Sequence, residues 1–176
     1  RATIGGLLGQ QGLDLAGTSV TLPHKERLVG LASEFGWAPD DTALALGAAN
    51  TFAAPNRVTS TDGDAVAVPL VDRLGDLGGR RGGLVGAGGA ARAIAGALLS
   101  RGATVVVYNR TVERAERLAR AMNGAFEGSE GKAVAAALDL LPKAGCQAFI
   151  NCTPSGMAGG PDADGLSIPI PEMANL

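Results

Sequence analysis

A chain of 176 residues with 46% apolar content can bury a sizeable core in one domain or two small ones, and its net charge of −2 argues against a nucleic-acid partner. No apolar run reaches the ~18 residues that cross a bilayer, no signal peptide is visible, and Cys146 and Cys152 suit neither a disulfide framework nor a zinc site, so a reduced cytoplasmic setting without metal is expected. Abundant glycine (27 residues) beside 3% aromatic content favours α/β layers over an aromatic-rich sandwich.

In chain order, a strand near Thr18–Leu22, a helix over Lys25–Phe35 and a turn at Pro39-Asp40-Asp41 suggest a small α/β unit. Pro69 interrupts the apolar run Ala65–Leu74, so a helix there is kinked or starts late. Five glycines between Leu74 and Gly83 mark a domain boundary, with domains at 1–75 and 76–176. Beyond it, Leu84-Val85 ends in Gly86, Ala90–Leu99 reads as a helix, and Thr104–Tyr108 as a strand buried on both faces. A helix from Val112 to Met122 carries the stripe Ala115, Leu118, Ala119, Met122, the i,i+4 pairs Glu113–Arg117 and Glu116–Arg120, and Thr111 as N-cap. Lys132–Leu141 reads as another alanine-rich helix and Gln147–Asn151 as a strand. This alternation predicts a Rossmann-type, doubly wound parallel sheet beside the smaller α/β substrate-binding domain.

Gly86-Ala87-Gly88-Gly89-Ala90-Ala91 matches G-x-G-x-x-A between an apolar run and a helix. Such a turn brings backbone N–H groups and the positive end of a helix to a pyrophosphate. Gly82 and Gly83 sit oddly in the strand before it, where β-branched residues would serve better. After the next strand comes Asn109-Arg110-Thr111, with no carboxylate to repel a 2′-phosphate. Arg110 can pair with that phosphate and stack on adenine, and Thr111 can donate a hydrogen bond, so the expected cofactor is NADP.

Three earlier stretches place hydroxyl, amide and charged groups at the edges of apolar segments: Ser19–Lys25, Gly47-Ala48-Ala49-Asn50-Thr51 and Ser60-Thr61-Asp62-Gly63. They suit a polyhydroxylated acid, and Lys25 and Asp62 could pair and share a proton. Histidine is a common proton carrier, which makes His24 a tempting catalyst, but an extended segment would point it away from Lys25.

With these motifs in order, the chain resembles the shikimate dehydrogenase family. V-T-x-P-x-K is matched by Val20–Lys25, G-A-x-N-T by Gly47–Thr51, and N-T-D by Ser60-Thr61-Asp62. G-A-G-G-A-x-R is matched by Gly86–Arg92, N-R-T by Asn109–Thr111, and N-x-T-x-x-G-M by Asn151–Met157. The resemblance implies reversible, NADP-linked reduction of 3-dehydroshikimate to shikimate, in a single enzyme or a region of a larger multifunctional enzyme of the pathway. It implies that Lys25 and Asp62 are the catalytic pair and that they hold substrate together with Thr21 and Asn50. It also implies that Thr153, Ser155, Gly156 and Met157 neighbour the nicotinamide. Ser60 departs from the family's asparagine. The family's serine-rich carboxylate site and its later tyrosine and glutamine segments fall outside Arg1–Leu176, so a piece of a longer protein is expected. An NAD-linked quinate/shikimate dehydrogenase and a non-catalytic sensor of pathway intermediates are the alternatives.

Overall fold

A computed structural model describes residues 15–143, 145–160 and 163; the two ends of the expected domains at 1–75 and 76–176 lie outside them. Two sheets organise the chain. The first has the order β1-β3-β4-β2, built from β1 (Gly17–Ser19), β2 (Ala38–Pro39), β3 (Thr51–Ala53) and β4 (Arg57–Thr59). β3 pairs antiparallel with β1 and β4, and β2 pairs parallel with β4. Its core gathers Val20, Leu28, Leu31, Trp37, Phe52 and Val58, with the rings of Trp37 and Phe52 4.8 Å apart.

Helix α1 (Lys25–Phe35) buries Leu28, Leu31 and Ala32 at i, i+3, i+4 and ends at Gly36, a left-handed C-cap. Residues 22 and 23 form a turn, not the extended segment expected through Leu22, so the strand is shorter than the apolar run. The expected turn at Pro39–Asp41 opens a further helix, α2 (Asp41–Leu46), which sequence reading missed. Asp40 caps it by accepting a bond from the Ala43 N–H at 2.8 Å.

Helix α3 (Asp62–Leu74) begins well before Pro69 and runs through it. Ala65 and Pro69 both lie on the exposed side, where water can serve the carbonyl that loses its partner. The opposite face (Gly63, Val66, Ala67, Leu70, Leu74) packs into the second unit. α3 therefore lies before the expected boundary while its buried face joins the core beyond it.

The second sheet is wholly parallel, with the order β7-β6-β5-β8: β5 (Arg81–Val85), β6 (Thr104–Asn109), β7 (Ala133–Ala137) and β8 (Ala148–Asn151). α4 (Gly89–Leu99) links β5 to β6, and α5 (Val112–Ala125) links β6 to β7. Four consecutive buried residues of β6 divide between two cores. Val105 and Val107 meet the helices; Val106 and Tyr108 meet Leu141 beyond β7. The fold is the α/β, Rossmann-type arrangement expected.

Gly83 is explained by close packing, whereas Gly82 has room for a side chain in ordinary contact. A Cβ at Gly83 would stand 2.7 Å from the Phe149 ring, and one at Gly82 3.5 Å from Leu98. Thr111 takes the N-cap position of α5 but makes no side-chain capping bond. Glu116–Arg120 forms an ion pair at 3.8 Å; Glu113 and Arg117 form none among the described residues.

The expected helix over Lys132–Leu141 is a correction. Residues Ala133–Ala137 form β7, followed by a 3-10 helix over Leu138–Lys143. Alanine favours helix, but the open edge of β6 offers a full ladder of backbone partners. Asn123 of α5 clamps the first residue from the side. Its Oδ1 accepts from the Ala133 N–H at 2.8 Å, and its Nδ2 donates to the Ala133 carbonyl at 2.9 Å.

Candidate active site

The sheet order reverses between β5 and β8, and a crevice of about 430 Å³ opens at their carboxyl ends. β5 runs into Gly86, whose φ of +111° excludes most side chains. A Cβ there would also meet Thr153 Cγ2 at 3.0 Å and the Cys152 carbonyl at 3.1 Å. At Gly88, the extended N-cap of α4, a Cβ would meet nothing within 4 Å and would project into open space. The loop is thus a cradle kept open by missing side chains, at the positive end of an eleven-residue helix.

Gly89 serves another purpose. A Cβ there would stand 2.7 Å from the Cβ of Lys25. The glycine-rich loop and the first turn of α1 are therefore in direct contact, and a glycine makes that approach possible. Ala91 is fully buried in the core, and neither it, Ala90 nor Gly89 lines the crevice.

Lys25 Nζ donates to Asp62 Oδ2 at 2.6 Å, with the two side chains 14% and 23% exposed. Asn50 is the polar residue buried most fully among those described, at 8% exposed. Its Nδ2 donates to Asp62 Oδ1 at 2.8 Å and to Thr61 Oγ1 at 3.0 Å. Its Oδ1 accepts from the Thr61 N–H at 3.0 Å and the Thr51 hydroxyl at 3.0 Å. Its main chain bridges Val20 and Thr59. Both Asp62 oxygens are thereby held, and three separated motifs meet at one carboxylate. Thr21 is exposed, and its hydroxyl takes no part in this network. His24 is exposed at the start of α1, where its N–H donates to the Thr21 carbonyl at 3.0 Å.

The end of the crevice beside β6 is cationic. Asn109 and Arg110 line it, and no carboxylate does so among the described residues; Thr111 stands outside. Asn109 shapes the turn by donating to the Thr111 carbonyl at 2.8 Å. Arg114 also lines the crevice and was missed by sequence reading. Its signal was the four-residue spacing from Arg110, with a second cation placed against the helix dipole. Leu22 was missed as well; it carries the lysine motif to the rim of the crevice.

On the β8 side, Thr153 and Ser155 line the crevice, whereas Gly156 and Met157 do not, and Met157 is 53% exposed. Asn151 organises this loop as an Asx turn. Its Oδ1 accepts from the Thr153 N–H at 2.9 Å and hydroxyl at 2.6 Å, and its Nδ2 donates to the Ser155 carbonyl at 3.0 Å. Cys152 lines the same crevice. Burial pushes its thiol up to about 12; the Asp62 carboxylate adds to the rise and the Lys25 ammonium opposes it. That electrostatic contact ties the crevice to the ion pair.

Comparison with known proteins gives this arrangement a family. A model described as "Shikimate / quinate 5-dehydrogenase" matches residues 70–143. The shikimate dehydrogenase (NADP(+)) of Nitrobacter winogradskyi is 40% identical over 159 residues, 85% of this chain and 52% of that protein. The chain belongs to the shikimate / quinate 5-dehydrogenase family. Two solved members of this family share its fold. Shikimate 5-dehydrogenase from Thermus thermophilus, in complex with NADP(H) and shikimate, aligns at a TM-score of 0.71 and 27% identity, covering 96% of this chain and 59% of that one. Quinate dehydrogenase from Corynebacterium glutamicum, in complex with NAD, aligns at 0.73 and 26%, covering 90% and 57%. The chain spans about half the length of the curated relatives it matches, 52% for the first of them.

Proposed function

We propose that the protein is an NADP-dependent shikimate dehydrogenase that reversibly reduces 3-dehydroshikimate to shikimate, with residues 1–75 serving substrate and 76–176 serving cofactor. The observation that carries this reading is the Lys25–Asp62 pair, 2.6 Å apart, on a turn that touches Gly89 of the cofactor loop. The cytoplasm is the proposed compartment; no helix among the described residues is long and apolar enough to cross a membrane.

The cradle fits a dinucleotide: Gly86 and Gly88 leave room for a pyrophosphate, and Arg110 and Arg114 offer two cations for a 2′-phosphate. Bound there, the nicotinamide supplies a hydride in reduction or accepts one in oxidation. An ammonium has three donors, and Asp62 takes one from Lys25, leaving two for a ketone oxygen. As negative charge grows on that oxygen, Lys25 stabilises it and transfers a proton to it. Asp62 orients Lys25, and Asn50 keeps the carboxylate from rotating away. Thr153 and Ser155, fixed by Asn151, present polar groups at the crevice wall.

Full-length protein given shikimate and NADP+ is expected to produce reduced cofactor, read by absorbance. Lys25→Ala is expected to lower kcat by ~10²–10⁴ while shikimate affinity is largely kept. The NAD-bound quinate dehydrogenase among the structural relatives defines the competing outcome. Equal turnover with NAD+ and NADP+, unaltered by Arg110→Glu, would decide for it, and binding without turnover would decide for a sensor.

A further inference from the structure

We propose that Arg92 is a positioning residue, a latch across the seam between the two sheets that sets Lys25 against the cofactor loop. The proposal rests on the shikimate dehydrogenase reading for the reaction it affects. Arg92 sits in the first turns of α4, one turn after Gly89, where a cation opposes its own helix dipole. Its partners lie in the other unit. Nη1 reaches the Leu46 carbonyl at 3.4 Å, the negative C-terminal end of α2. Nε faces Glu26 Oε1 at 3.8 Å, an ion-pair distance too long for a hydrogen bond.

That Nε is buried and has no hydrogen-bond partner. A buried N–H without a partner is costly, and the carboxylate needed to satisfy it stands within an ångström of bonding range. Glu26 adjoins Lys25 in the first turn of α1. Leu46 leads through Gly47 to Asn50, and the Ala49 N–H donates to the Lys25 carbonyl at 2.9 Å. One guanidinium thus touches both segments that carry the ion-pair network, from the helix whose N-terminus forms the cradle.

The test compares Arg92→Met, Arg92→Lys, Glu26→Gln and the Arg92→Met/Glu26→Gln double variant in the full-length protein. It reads kcat, KM, NADP+ dissociation constant by fluorescence, and amide exchange over residues 25–28 and 89–92. Arg92→Met is expected to lose about tenfold or more in kcat, because small displacements of a catalytic group are amplified, with cofactor affinity within about threefold of the parent. Arg92→Lys recovers at least part of the rate, the double variant is no worse than Arg92→Met, and exchange rises together in both segments. A kcat within about twofold of the parent, or a loss appearing wholly as weaker cofactor binding, overturns the latch. If the parent protein turns over no shikimate, the functional reading has failed, and the exchange data alone decide: independent protection of the two segments in Arg92→Met refutes the latch.

Discussion

Asn50 shows how one side chain can hold a site together. It is nearly buried, and its amide satisfies Thr61, Thr51 and one oxygen of Asp62. Asn50→Ala should cost about 1–3 kcal/mol in urea unfolding, because buried partners lose their bonds. kcat should fall further than stability alone explains, since Asp62 becomes free to turn. Cys152 gives a second test. Its thiol, held near 12, is almost entirely un-ionised at pH 8, so alkylation by iodoacetamide in the folded protein should run at least ~10³-fold slower than in the unfolded chain. An unfolded cysteine ionises from about pH 8.5, before the folded one. The stability this thiol confers is therefore whole below that pH and is lost as pH climbs towards 12. Cys152→Ala should flatten that alkaline limb in a series of urea curves.

At the scale of elements, sequence reading and structure agree where one signal dominates. The bounds expected for α1 and the core of β6 hold, because an apolar stripe of period 3.6 and a run of β-branched residues have few competing solutions. Lys132–Leu141 misled because alanine has no strong face and the deciding contacts came from elsewhere. The edge of β6 and the side chain of Asn123 are invisible to local pattern. Asn123→Ala should therefore raise amide exchange at Ala133 selectively and cost about 1 kcal/mol, leaving α5 intact. α2 was overlooked because six residues are too few for periodicity to show, although Asp40 was a legible cap. In the site, Lys25, Asp62 and Asn50 were legible as a set of motifs. The idle hydroxyl of Thr21, the exposed Met157 and the contribution of Arg114 depend on how loops turn, which motif spacing does not encode.

For the molecule as a whole, the side chains of α3 fill the contact between the two units, and two glycines set how closely the units approach. A Cβ at Gly63 would lie 2.5 Å from the Ala93 carbonyl oxygen and 2.9 Å from the Ala97 Cβ, both close to the backbone of α4. A Cβ at Gly96 would meet the ends of the Leu46 and Phe126 side chains, which can rotate aside. Gly63→Ala should thus destabilise by about 1–3 kcal/mol and lower kcat, and Gly96→Ala by clearly less, in paired urea and rate measurements. Ligand linkage offers a global readout. At ~100 times its dissociation constant NADP+ should add about 2.7 kcal/mol, and at equal concentration it should raise Tm more than NAD+ does. Arg110→Glu combined with Arg114→Glu should abolish that difference.

The bare Cα at position 89 binds the histories of two loops together. A descendant that gained even a methyl there would have to displace the turn that carries Lys25. Changes to the glycine-rich loop and changes to the turn that carries Lys25 are thus expected to arise in concert.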